Sequence, residues 1–309
     1  MSNFAFNNPA FKKQDPRAVA TYPGNPAAGQ YAPPPPAGQA AAAQQAAVNA
    51  QLEGMYSAPS AGSLETNRMS VEDTVWKTAG LFGILLVFAA IGWFFTLGGV
   101  AVPRADATST PAVAMWPWLV GALGGFVLAM VVTFTSRKKV RPALIFAYAA
   151  FEGLFVGGIS AFFEVLWPGI VLQATLATAA VVAVTLALFA SGKVRASAKM
   201  TKIVMIAMLG YLVFSLLNVV LMVFNVLPAN QMFGLYSAKV AGIPLGLIIG
   251  VLVVFLAAYS LVMDFDQIQQ GVRNGAPRQY GWLGGFGIMV TVVWLYVEIL
   301  RMIAIARSN

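Results

Sequence analysis

Seven apolar runs, each near the ~20 residues that a helix needs to cross a bilayer, constrain this chain more than any motif in it. They are Ala79–Val100, Trp118–Phe134, Ala143–Leu166, Ile170–Ala190, Ile203–Val226, Ile243–Met263 and Leu283–Ile305. In hydrocarbon every backbone N–H and C=O must find a partner inside the protein, so runs of this length read as helices. The expected fold is all-α and integral to the membrane, a seven-transmembrane-helix bundle. The second run is the shortest, and the fourth follows a tight Trp167-Pro168-Gly169 turn. Gly121, Gly124 and Gly125, and likewise Gly153, Gly157 and Gly158, let helices approach closely, a packing role.

Before the first run the composition changes. Residues 1–69 show no hydrophobic periodicity, and Ala32-Pro33-Pro34-Pro35-Pro36-Ala37-Gly38-Gln39 leads into alternating Ala and Gln. Such a segment buries too little apolar area to offset its chain entropy, so it reads as a disordered Pro/Ala/Gln-rich tail. Its polar, proline-rich start has no apolar core of the kind a signal peptide carries. Ser70 can cap a helix whose first turn holds Glu72 and Asp73, which places the start of the membrane domain, 70–309, there.

The formal charge of +8 is topological. Lys12, Lys13, Arg17, Arg68 and Lys77 precede or open the first span; Arg137, Lys138, Lys139 and Arg141 follow the second; Lys193, Arg195, Lys199 and Lys202 follow the fourth; Arg273 and Arg278 follow the sixth. The opposite loops keep only Arg104 and Lys239, with Arg301 and Arg307 in or beyond the last span. Because short cytoplasmic loops collect Lys and Arg, the N-terminus and tail are expected inside and the C-terminus outside, with no nucleic-acid partner. Reporter fusions at Ser197 and Gly275 should both report cytoplasm and one at Thr108 the outside; any reversal breaks this topology.

Enzyme chemistry has little to stand on. The chain has no Cys and no His, which removes thiol and imidazole nucleophiles and Cys/His metal sites. It also lacks a Gly-x-Ser-x-Gly elbow and a P-loop. No enzymatic activity and no resident cofactor or metal are therefore expected.

What remains is a set of acids at membrane depth, which are costly in hydrocarbon and so mark functional paths. Asp264 and Asp266 are two apart, about 200° around a helix, so one faces the bundle and Asp266 lies nearer the cytoplasmic end. Glu298 and Arg301, three apart, share a face and can pair. Glu152 lies well inside the third span without a local cation, whereas Glu164 sits at an interface. Two readings stand side by side: buried ion pairs that fix helix register, or a proton- or cation-responsive site. Carboxylate oxygens also suit calcium, which takes several hard ligands.

The segments Arg141-Pro-Ala-Leu-Ile-Phe-Ala-Tyr-Ala-Ala-Phe-Glu-Gly153, Met263-Asp-Phe-Asp-Gln-Ile268 and Ile299-Leu-Arg301 resemble the Bax-inhibitor (YccA-like, transmembrane Bax inhibitor motif) family. From Asn8-Pro-Ala-Phe11 onward the pattern is similar to its actinobacterial-type members with a long polar tail. The resemblance implies a central last helix, a bacterial plasma membrane location, and a pH-sensitive calcium leak controlled by two membrane aspartates. Asp264 falls on the first of that pair. Counting back from Ile299-Leu-Arg301, the second falls on Thr291, which cannot ionise, and Glu298 lies two turns further along the same face. The resemblance also implies a supporting Glu152–Arg301 pair. Bacterial relatives further imply an alternative role, a non-transporting regulator that binds a membrane protease or other membrane protein.

Overall fold

The computed structural model describes residues 67–98, 113–228 and 232–308. The tail expected over 1–69 lies almost wholly outside the described residues. Ser70 opens the first helix as the sequence suggests: it holds an extended backbone and its Oγ accepts from the Asp73 N–H at 3.1 Å. That satisfies one of the orphan donors of a first turn. Seven helices follow: α1 (Val71–Thr96), α2 (Trp116–Thr135), α3 (Pro142–Leu166), α4 (Ile170–Ala190), α5 (Ala198–Val223), α6 (Leu245–Arg273) and α7 (Tyr280–Ser308). All seven are long and apolar enough to cross a membrane.

Helices α2 and α5 present Leu119, Leu123, Phe126, Leu209, Val213 and Leu216 to the outside. Apolar faces of that extent are stable against lipid and not against water. The last helix is the opposite case. Half of its most apolar window is buried, against 17% for α1, α2 and α5, so α7 forms the axis of the bundle. Two apolar clusters meet on it. One joins Leu81 and Leu85 of α1 and Ile145 and Tyr148 of α3 to Phe286 and Met289. The other joins Ile159 of α3, Ala174 of α4 and Leu261 of α6 to Leu295 and Leu300.

Small residues set the spacing on α3. A Cβ at Gly157 would lie 2.0 Å from the Ala89 carbonyl oxygen of α1, and one at Gly121 of α2 would lie 2.3 Å from the Phe155 backbone nitrogen. Both are backbone contacts that no side-chain shift relieves.

The structure corrects the sequence expectation in the sixth span. Its helix starts at Leu245, not Ile243, and runs ten residues past Met263 to Arg273. Ile243 and Pro244 instead pair with Lys239 and Val240 in a short antiparallel hairpin. The two-residue loop between them, Ala241-Gly242, has both residues at positive φ, as a tight hairpin turn of that length requires. A single 3-10 turn, Gly234–Ser237, precedes the hairpin and lies against α5 and α6.

Candidate functional site

Asp264 sits nine residues from the Arg273 end of α6, and Thr291 eleven from the Tyr280 end of α7. At 1.5 Å per residue both lie roughly 15 Å from the same end of the bundle, near the middle of a ~30 Å hydrocarbon layer. Both are buried, and the Thr291 hydroxyl donates to Asp264 Oδ2 at 2.7 Å. The same hydroxyl lies 3.2 Å from the Gly287 carbonyl one turn back on its own helix. A carboxylate thus sits at the α6–α7 interface with a hydroxyl aimed at it.

Its neighbour on α6 is different. Asp266 is half-buried and takes a 2.7 Å hydrogen bond from Gln270. One of the two aspartates faces the bundle and the other its rim, as their angular separation requires.

Glu298 belongs to a second site, seven residues or roughly 10 Å further along α7. There it pairs with Arg301 and accepts from the Tyr211 hydroxyl of α5 at 2.7 Å. The Arg301 guanidinium lies over the Tyr236 ring, 3.8 Å from its centroid, a favourable cation–π contact once water is excluded. Tyr236 is brought there by the 3-10 turn, which Asn218 of α5 pins by accepting from the Leu235 N–H at 2.7 Å and donating to the Phe233 carbonyl at 3.3 Å. Tyr211, Tyr236 and Asn218 were not singled out in the sequence. A polar residue in the middle of an apolar run, as Asn218 is, was the available signal.

The expected Glu152–Arg301 pair does not form. Arg301 is committed to Glu298. Glu152 lies ten residues into α3 and Arg301 twenty-one into α7 from the same end, a mismatch of roughly 16 Å in depth. Glu152 instead interacts with the Tyr148 hydroxyl one turn back on α3 and packs under Gly125 of α2. Glu164 accepts from the Gly169 and Val171 N–H groups at 2.5 and 3.0 Å, closing the turn into α4.

The end of the bundle nearest Asp266 carries a clasp. Asp73 of α1 pairs with Lys77 and, through Oδ1, takes Arg278 Nε and Nη2 at 3.1 and 2.8 Å. Lys77 Nζ also donates to the Arg278 carbonyl at 2.8 Å, and the Met69 N–H to the Ala276 carbonyl at 2.7 Å. The segment before α1 is thereby sewn to the α6–α7 loop. Its hydrogen bond to Asp73 raises the pKa of Arg278 above an already high value, so this cation keeps its charge across the neutral range.

No curated protein and no solved structure matches the chain. The family model described as Bax inhibitor 1 like matches residues 8–308, nearly the whole chain. That match, on seven membrane-length helices packed around α7, makes this multi-pass membrane protein a member of the Bax inhibitor 1 like family.

Proposed function

We propose that the protein is a pH-sensitive cation leak, with calcium as the transported ion, in the plasma membrane with its N-terminus cytoplasmic, and that Asp264 is the proton-responsive group. The observation that carries this reading is the buried Asp264–Thr291 contact at mid-depth between the long helix α6 and the central helix α7. A carboxylate there has an energetic cost that packing alone does not need. Proton uptake by Asp264 removes the charge that the Thr291 hydroxyl serves. The α6–α7 contact then loosens, opening a path along α7. The clasp at Asp73 and Arg278 holds the loop end of the same two helices and keeps its charge over that range, so the response is assigned to the interior site. Glu298 and Arg301, which lie at another depth, hold the far end of α7.

Reconstituted in vesicles, the protein should release calcium faster than empty vesicles, and faster at acidic than at neutral pH. Equal leakage with and without protein at every pH would overturn this reading, and a regulator that binds a membrane protease or other membrane protein would take its place.

Thr291 shapes the response. Two carboxylates in a dry site cannot both ionise cheaply and share a proton, whereas a hydroxyl at 291 adds no second charge beside Asp264. Thr291→Asp should therefore move the pH profile of flux towards neutral and make it steeper. An unchanged profile in a well-expressed variant would mean that the Thr291 contact does not set the response.

A further inference from the structure

Residues 67–69 run antiparallel to the α6–α7 loop. Arg68 and Pro277 form a bridge, flanked by the Met69 N–H donating to the Ala276 carbonyl at 2.7 Å and the Arg278 N–H donating to the Asn67 carbonyl at 3.0 Å. In that pattern the bridged pair exchanges no hydrogen bond of its own, so Pro277 gives up no donor by standing there. Met69 and Ala276 are both 2% exposed and belong to the same apolar cluster as Ile268 and Tyr280. Asp73, just inside α1, then holds both Lys77 and Arg278, and Lys77 lies 5.5 Å from the centroid of the Trp282 ring of α7.

Behind this strap α1, α6 and α7 meet on one glycine. A Cβ at Gly284 would lie 3.0 Å from Ile268 Cγ1 of α6 and 3.2 Å from Thr74 Cγ2 of α1. Gly284 stands two turns before Thr291, and Ile268 one turn after Asp264, on the same helix faces. The junction therefore lies on the seam that holds Asp264 and Thr291, roughly 6–10 Å nearer the loop. Parting α7 from α6 at this end moves Arg278, which breaks its hold on Asp73 and the two backbone hydrogen bonds of the strap. The first 66 residues of the chain connect to the bundle through Asn67.

We propose that residues 67–69 are a lock: paired with the α6–α7 loop, they keep α6 and α7 together at Asp264 and Thr291. A pull on the preceding chain that unpairs them lets the two helices part. An effect on calcium release rests on the cation-leak reading above; the effect on the helix seam does not.

The chain has no cysteine, so Arg68→Cys with Pro277→Cys supplies a single thiol pair. The Cα atoms of such a bridged pair stand ~4.5 Å apart, within the ~4.4–6.8 Å that a disulfide spans. Amide hydrogen exchange of the full chain in detergent is read over residues 261–268 and 289–293. Exchange there should be slower with the disulfide closed than after reduction. Asp73→Asn, which frees both cations, should speed exchange at Met69, at Arg278 and over the seam roughly ten-fold, the factor that one charge-assisted hydrogen bond carries. Glu72→Gln removes the neighbouring exposed acid, which makes no ion pair among the described residues, and should leave exchange unchanged. In vesicles, calcium release should fall on closure of the disulfide and rise in Asp73→Asn. A cysteine pair that does not close on oxidation, or equal seam exchange in its closed and reduced forms, overturns the proposal. So does an Asp73→Asn effect confined to Met69 and Arg278, or one matched by Glu72→Gln. Seam exchange that responds as expected, in a protein whose vesicles release no calcium, upholds the strap and refutes the cation leak. Should Asp73→Asn fail to purify, the cysteine pair decides alone.

Discussion

Glu298→Ala is expected to destabilise the bundle by about 3–5 kcal/mol, the cost of stranding one half of a buried ion pair. Glu298 is only 3% exposed and holds both Arg301 and the Tyr211 hydroxyl. Without it the guanidinium keeps its stacking on Tyr236 but loses its counter-charge, and its buried Nε already has no hydrogen-bond partner among the described residues. Glu298→Gln keeps the shape and an acceptor for Tyr211 while losing the charge, so it should fall between the native protein and the alanine variant. Thermal unfolding in detergent, followed by tryptophan fluorescence, ranks the three. A loss below about 1 kcal/mol for Glu298→Ala, the range of exposed pairs, would mean that Arg301 reaches water and that the pair is not closed in by the turn carrying Tyr236.

Gly157→Val should be nearly as damaging, for a steric reason. The added Cβ would meet the Ala89 carbonyl oxygen at 2.0 Å and the carbonyl carbon at 2.7 Å. Both belong to the backbone of α1, so relief requires α1 and α3 to separate along a contact that Gly92 and Gly153 also make close. Overpacking of this kind costs ~3 kcal/mol or more where backbone must move. The expected result is a sharply lower yield of monodisperse protein and a lower melting temperature. Gly210 on α5 is the control: nothing lies within 4 Å of its added Cβ. Gly210→Ala should be neutral or stabilising by up to ~1 kcal/mol through helix propensity. A Gly157 variant that melts like the native protein would show that α1 and α3 do not pack as described.

Membrane architecture was legible because hydrocarbon imposes a length and a polarity that a sequence displays directly. The bounds expected for the fourth span coincide with those of α4, whose start the Trp167-Pro168-Gly169 turn marks. The extension of α6 past Met263 was not legible, because hydropathy stops at the first aspartate whereas backbone hydrogen bonding continues to Arg273. The hairpin at Lys239–Pro244 was hidden for a related reason: Ile243 and Pro244 adjoin an apolar run and carry no strand alternation.

The acids divide in the same way. That only one of Asp264 and Asp266 could face the bundle followed from helix geometry, whereas the place of Thr291 followed from the family resemblance, which sets the second acidic position by its distance from Arg301. The Glu298–Arg301 pair was legible from its spacing on one helix. Glu152 was misassigned to Arg301 because sequence similarity carries no depth, and depth separates them. The Tyr211 and Tyr236 contacts join α5 and a 3-10 turn to α7. Such contacts depend on how helices lie beside one another, which spacing within one helix does not encode.

The central claim is that Asp264 carries the pH response, and calcium flux from vesicles holding the native protein or Asp264→Asn, read at a series of pH values, tests it most directly. The amide has the shape of the protonated acid and cannot ionise. The native flux should rise as pH falls, and the Asp264→Asn flux should be independent of pH. If Asp264→Asn instead responds to pH as the native protein does, the proton acts elsewhere and the account is contradicted.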